Sequence, residues 1–131
     1  MAERPVPARP TGAEPTLFDA LPDGKQHAPM SEAQLQSAVL EMAKLFSWRC
    51  AHFRTANTTQ GWMTPVAADG KGFPDLCMVR DRVVFAELKA ERGTVAPEQT
   101  EWARAILNAG LEMYLWRPRD WRNGTVEAVL R

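Results

Sequence analysis

The chain has 131 residues, 45% hydrophobic and 24% charged, the mix of one soluble globular domain. Lys+Arg and Asp+Glu each number 16, a formal net charge of zero, which excludes a strongly basic packaging protein but not nucleic-acid binding through locally clustered charge. Cys50 and Cys77, with His27 and His52, are too few for a disulfide framework and lack zinc-ligand spacing. No apolar run is long enough for a membrane span, and the opening residues carry no apolar signal core, so a cytoplasmic protein is expected.

Six of the ten prolines fall in residues 1–30, a composition that resists helix and sheet and buries little. A disordered tail is expected over 1–30, followed by one domain over 31–131. Within the tail, Leu17-Phe18 belongs to a short apolar patch, a weak candidate for docking a partner and more simply a sticky spot.

Ser31, with Gln34 three residues on, has the pattern of a capping box and predicts a helix start. Leu35, Ala38, Val39, Met42, Ala43, Leu45 and Phe46 then form an amphipathic stripe. A strand is expected over 48–54, then a long aperiodic loop over 55–71. The β-rich runs 76–79 and 83–89, separated by Arg80-Asp81-Arg82, predict a hairpin. Pro97 and Gly110 bracket a helix with Trp102, Ile106 and Ala109 on one face. A strand over 112–116 and a short helix over 126–130 complete the chain. The order α-β-β-β-α-β predicts an α/β fold, a mixed β-sheet flanked by helices.

Some residues do not fit packing. Glu87 and Lys89 lie two apart in an apolar strand and so share a face. Alone, this pair also fits a plain edge-strand ion pair. Asp75 follows Gly72-Phe73-Pro74 at the mouth of the preceding strand. A three-residue turn over 80–82 would set Val79 opposite Val83 and Asp75 opposite Glu87. Two carboxylates on adjacent strands repel unless a cation lies between them. Oxygen ligands suit Mg²⁺ or Mn²⁺. Such an ion beside a lysine is equipment for phosphodiester hydrolysis. On the first helix, Glu32 lies about 60° from Leu35, at the rim of the buried face, while Glu41 lies about 240° away, toward solvent. Gln99 precedes Trp102 by three and Ile106 by seven and faces inward; it also stands where a helix cap would need it. The aromatic and Arg residues at Trp116, Arg117, Arg119, Trp121 and Arg122 fit packed tryptophans with solvated arginines better than a nucleic-acid platform.

Gly72-Phe73-Pro74-Asp75, Glu87-Leu88-Lys89, Glu98-Gln99 before Trp102, and Gly110 together resemble the VRR-NUC (virus-type replication-repair nuclease) family of the PD-(D/E)XK superfamily. Ser31-Glu32…Gln36 and Trp116-Arg117-Pro118…Asp120-Trp121 look like its stand-alone phage and bacterial members, and the likeness spans about 31–121. The resemblance implies a restriction-endonuclease-like core and a metal-dependent DNA endonuclease, structure-selective, in replication, recombination or repair. It implies Mg²⁺ or Mn²⁺ held by Asp75, Glu87 and the Leu88 carbonyl, with Glu32 nearby. Lys89 would be the catalytic lysine and Gln99 a supporting residue. The implied partners are branched or duplex DNA and a second copy in a homodimer, in a bacterial or phage-infected cytoplasm. The 55–71 loop departs from the family in length and lacks a dense basic run. His52 and Arg54 beside it are strand-end residues that could reach a phosphate. The competing expectation is a non-catalytic nucleic-acid-binding or assembly module on the same fold.

Overall fold

The computed structural model describes residues 30–53, 56–58, 61–63 and 67–131. The expected tail, with Leu17 and Phe18, lies outside the described residues except for Met30, and so does Arg54.

The first helix, α1 (Glu32–Leu45), begins where the sequence predicts. Ser31 Oγ accepts from the Gln34 N–H at 3.1 Å, and the Ser31 N–H donates to Gln34 Oε1 at 2.9 Å, closing the capping box. Leu35, Val39 and Ala43 are buried. Leu45, placed on the stripe by its apolar character, points instead to solvent. At 100° per residue it stands too far from the Leu35–Val39 line to reach the sheet.

Four strands form the main sheet in the order β1-β4-β5-β6: β1 (Arg49–His52), β4 (Leu76–Val79), β5 (Val83–Leu88) and β6 (Glu112–Trp116). The first two pairings are antiparallel and β5–β6 is parallel. Parallel neighbours need a crossover, and α2 (Pro97–Asn108) supplies it. The sheet is mixed, and helices flank it.

One correction concerns the 55–71 segment. Its described residues include two short antiparallel strands, β2 (Ala56–Thr58) and β3 (Gly61–Met63), pairing Ala56 with Met63 and Thr58 with Gly61. Three residues are too few to display a period-2 pattern, so the sequence gives no strand signal there. A second addition is α3 (Pro118–Arg122), which precedes α4 (Thr125–Leu130). Proline opens α3 and Asp120 Oδ2 accepts from the Arg117 N–H at 2.8 Å, but five residues are too short for a helical stripe.

Alternation along the strands sorts the side chains. Leu76, Met78, Val84, Ala86, Leu88 and Trp116 face α1 and α4 and form the core with Leu35, Val39, Ala43, Trp48, Val126 and Leu130. Each large apolar side chain buried there contributes about 1.5–3 kcal/mol. Trp48 donates its indole N–H to the Leu130 carbonyl at 2.8 Å, tying β1 to the C-terminus. The opposite face carries Phe85, over which Phe73 packs edge-on at 5.9 Å; Phe73 meets Trp102 of α2 at 5.0 Å and Phe53 at 5.3 Å. On α2, Ile106 is buried and Trp102 half-buried, whereas Ala109, expected on the same face, is exposed at the C-cap.

The 69–74 segment locks onto the start of α2. Trp102 donates its indole N–H to the Asp69 carbonyl at 2.9 Å. Gly72 has φ +86°, and a Cβ on it would stand 2.6 Å from the Glu98 carbonyl carbon and 2.7 Å from the Gln99 nitrogen. Gly110 also has positive φ, but a Cβ there would meet nothing within 4 Å. Gly110→Ala should therefore cost about 1 kcal/mol, the conformational term alone. Gly72→Ala should cost about 2–4 kcal/mol, because it adds a clash with helix backbone. Urea unfolding of both variants checks the difference, and equal losses would show that the close approach is not maintained.

Candidate active site

The candidate residues meet at one end of the sheet. Hairpin register decides this. Val79 pairs with Val83 and Leu76 with Ala86, as the three-residue turn requires. One further step sets Asp75 opposite Glu87, on the α2 side of the sheet, and Lys89 follows Glu87 by two. The same register sets Pro74 opposite Leu88. Proline has no N–H, so it can neither donate to the Leu88 carbonyl nor extend the ladder. The Leu88 N–H goes to Asp75 Oδ2, at 2.8 Å.

Glu87 is 4% exposed, and a carboxylate at that depth needs partners. Gln99 Nε2 donates to Glu87 Oε1 at 2.8 Å. Lys89 Nζ stands 3.7 Å from the same oxygen. Gln99 both faces inward and caps the helix, since its Oε1 also accepts from the Ala96 N–H at 2.8 Å. The amide thus caps α2 and grips Glu87 at once. The second oxygen, Glu87 Oε2, is buried and accepts from no donor. Burial first, and then the neighbouring Asp75 carboxyl, push Glu87 up to about 8, against the pull of Lys89. Two neighbouring carboxyls repel unless a proton or a cation lies between them.

Glu32 comes from α1. The residue is exposed, yet its carboxyl is raised above the ordinary glutamate range by partial desolvation first and by the charge of Asp75 second, with Lys89 opposing. This fits the rim position read from the helix wheel. Glu41 is exposed. One turn beyond Glu32, Gln36 donates through Nε2 to His52 Nδ1 at 3.2 Å, which makes His52 a strand-end residue held by α1. Among the described residues, no three Asp, Glu, His or Cys side chains form a metal-holding group.

The donors nonetheless fit one hard divalent cation. Asp75, the unpartnered Glu87 Oε2 and the Leu88 carbonyl, which Pro74 cannot engage, are all oxygens. Mg²⁺ or Mn²⁺ typically takes one or two carboxylates and completes its shell with water.

The C-terminal arginines require a correction. Trp116 is buried and Trp121 packs on the core, as expected. Arg117, however, is not solvated: it binds backbone carbonyls of the segment after Lys89. Arg119 and Arg122 are exposed but pair with Glu91 at 3.5 and 3.3 Å. Nothing in the residue pattern beyond the position of Arg117 directly after a strand signalled this. Among the described residues, no helix is long and apolar enough to cross a membrane. Comparison with family models, with curated proteins and with solved structures finds no match to this chain.

The raised carboxyl of Glu87 has a consequence for stability. Folded, the group keeps its proton up to about pH 8; unfolded, it loses it near 4.5. The folded chain therefore holds the extra proton between those values, and its stability falls as pH rises through that window. In metal-free buffer, the thermal midpoint should decline from pH 5 to pH 8 more steeply for the native chain than for Glu87→Gln, whose amide stays neutral. Parallel declines would place the titration elsewhere.

Proposed function

We propose that this chain is a Mg²⁺- or Mn²⁺-dependent DNA endonuclease with a restriction-endonuclease-like core of the VRR-NUC type, acting on branched DNA in replication, recombination or repair. The observation that carries the proposal is the buried Glu87 head group, with one oxygen unpartnered, Asp75 across the hairpin and Lys89 Nζ 3.7 Å away. A structural ion pair would leave neither a second carboxyl facing the first nor a buried oxygen without a donor.

Asp75, Glu87 and the Leu88 carbonyl would hold the cation, with Glu32 at its edge. When bound, the metal supplies a water of lowered pKa and positive charge near the scissile phosphate. The chain's own residues do the rest. Gln99 fixes one Glu87 oxygen and leaves the other free for coordination. The Leu88 N–H orients the Asp75 carboxylate. Lys89 holds an ammonium where it can donate to the attacking water or to a phosphate oxygen, and its charge counts most as negative charge grows in the transition state.

The second reading is a non-catalytic nucleic-acid-binding module. It is favoured by one observation, that among the described residues no three ligating side chains converge. A cleavage panel of labelled branched and linear DNAs separates the two. Under the nuclease proposal, EDTA stops cutting and Mg²⁺ or Mn²⁺ restores it. Lys89→Ala lowers the rate by about a thousandfold while DNA affinity persists, because binding is spread over many phosphate contacts. Asp75→Ala abolishes cutting. Glu32→Ala lowers it about tenfold and Glu41→Ala leaves it intact. Binding without cutting in either metal would leave the binding module as the better account.

A further inference from the structure

Lys89 is the first residue beyond β5 and has no strand position of its own. Two adjacent residues of the neighbouring chain segment hold its backbone and the turn that follows it. Its N–H donates to the Trp116 carbonyl at 3.0 Å. The turn after it is gathered by one nitrogen: Arg117 Nη1 donates toward the carbonyls of Ala90, Glu91 and Gly93 at 2.8, 3.1 and 2.8 Å. The turn closes on itself through Gly93 N–H to the Ala90 carbonyl at 3.0 Å. It also folds back on the lysine, since a Cβ on Gly93 would lie 3.5 Å from Lys89 Cβ. The Glu91 side chain adds a further tie to α3 by accepting from the Arg119 N–H at 3.1 Å.

We propose that Arg117 is a positioning residue for Lys89: by gathering the 90–93 turn, its guanidinium sets where the lysine ammonium stands relative to Glu87. Three carbonyls aimed at one point repel one another without a cation among them. Removing the guanidinium opens the turn, takes Gly93 off the lysine stem and frees the ammonium to swing. Lysine cannot substitute fully, because an ammonium is a point charge on a flexible stem and lacks the rigid guanidinium fork. The kinetic consequence rests on the nuclease proposal; the placement of Lys89 does not.

Two readouts on the full-length chain test this. The first is the reactivity of each lysine amine toward an acetylating reagent, followed by mass spectrometry without metal or DNA. In Arg117→Ala, Lys89 should react about fivefold faster, the equivalent of one lost net hydrogen bond, with Lys44 and Lys71 unchanged as internal references. The second is cleavage of branched DNA. Arg117→Ala should lower kcat about 10- to 100-fold, as a misplaced catalytic group does, with KM and DNA affinity held within about twofold. Arg117→Lys should fall between the two. Added guanidinium should restore part of the Arg117→Ala rate and none of the Lys89→Ala rate.

A folded Arg117→Ala with native Lys89 reactivity and native kcat overturns the proposal. So does a rate loss that follows the thermal midpoint and is accompanied by faster reaction at every lysine, the mark of a merely structural arginine. If Arg117→Ala does not fold, Arg117→Lys carries the same comparison. If the native chain cuts no DNA, the nuclease proposal fails on that result, and the Lys89 reactivity still decides the role of Arg117.

Discussion

Burial of one carboxyl organises this molecule. Leaving an ionised carboxylate in the interior costs several kcal/mol unless hydrogen bonds or charge offset it, and Glu87 sits there by virtue of its strand parity. Its neighbours in the strand are apolar and buried, and β5 is a central strand. Its surroundings come from three places in the chain: Asp75 just before β4, Gln99 in the first turn of α2, and Lys89 just beyond β5. The surroundings of these residues can be understood as what keeps that head group supplied. The aromatic contact of Phe73 with Trp102 holds α2 where Gln99 can reach, and Arg117 holds the turn beyond Lys89.

The same burial explains why so much of the site is legible in the sequence. Asp75, Glu87 and Lys89 stand out because charged residues in apolar strands have few structural uses, and a three-residue turn fixes register without further information. Glu32 and Glu41 separate on a helix wheel because α1 has a regular stripe. What stayed hidden involves backbone. The Arg117 clamp binds only carbonyls, which every residue offers, so no side-chain pattern marks its targets. The Gly72 approach to Glu98 and Gln99 is a contact between main chains. The β2–β3 pair and α3 are shorter than the periods by which strands and helices announce themselves. Leu45 and Ala109 show the converse error, apolar residues assigned to a face that geometry denies them.

The molecule divides its labour between the two faces of the sheet. On the α1 side, the buried residues are apolar throughout, and the fold draws its stability from them. On the α2 side, aromatic edges and the carboxyl cluster alternate, and Val79 and Leu115 remain over 40% exposed. A site whose carboxyls oppose each other lowers stability, so a surplus must exist elsewhere. Any cation that binds the folded site and not the unfolded chain returns part of that loss.

The segment Gly72-Phe73-Pro74-Asp75 shows how four neighbouring residues can serve one site by four different means. Gly72 omits a side chain so that α2 can approach within contact of the main chain. Phe73 inserts an aromatic ring between Phe85 of the sheet and Trp102 of the helix, which fixes the distance between layers. Pro74 withholds an N–H at the place where the ladder would otherwise continue to Leu88. That omission leaves the Leu88 carbonyl without a ladder donor from residue 74, while the Leu88 N–H goes to an Asp75 side-chain oxygen. A non-proline residue at 74 could donate to that carbonyl and extend the β4–β5 ladder by one rung. The Leu88 carbonyl would then be engaged in the ladder, though the charge and position of Asp75 were unchanged. The proline thus acts on the Leu88 carbonyl through the backbone bond it withholds, although it carries no ionisable group.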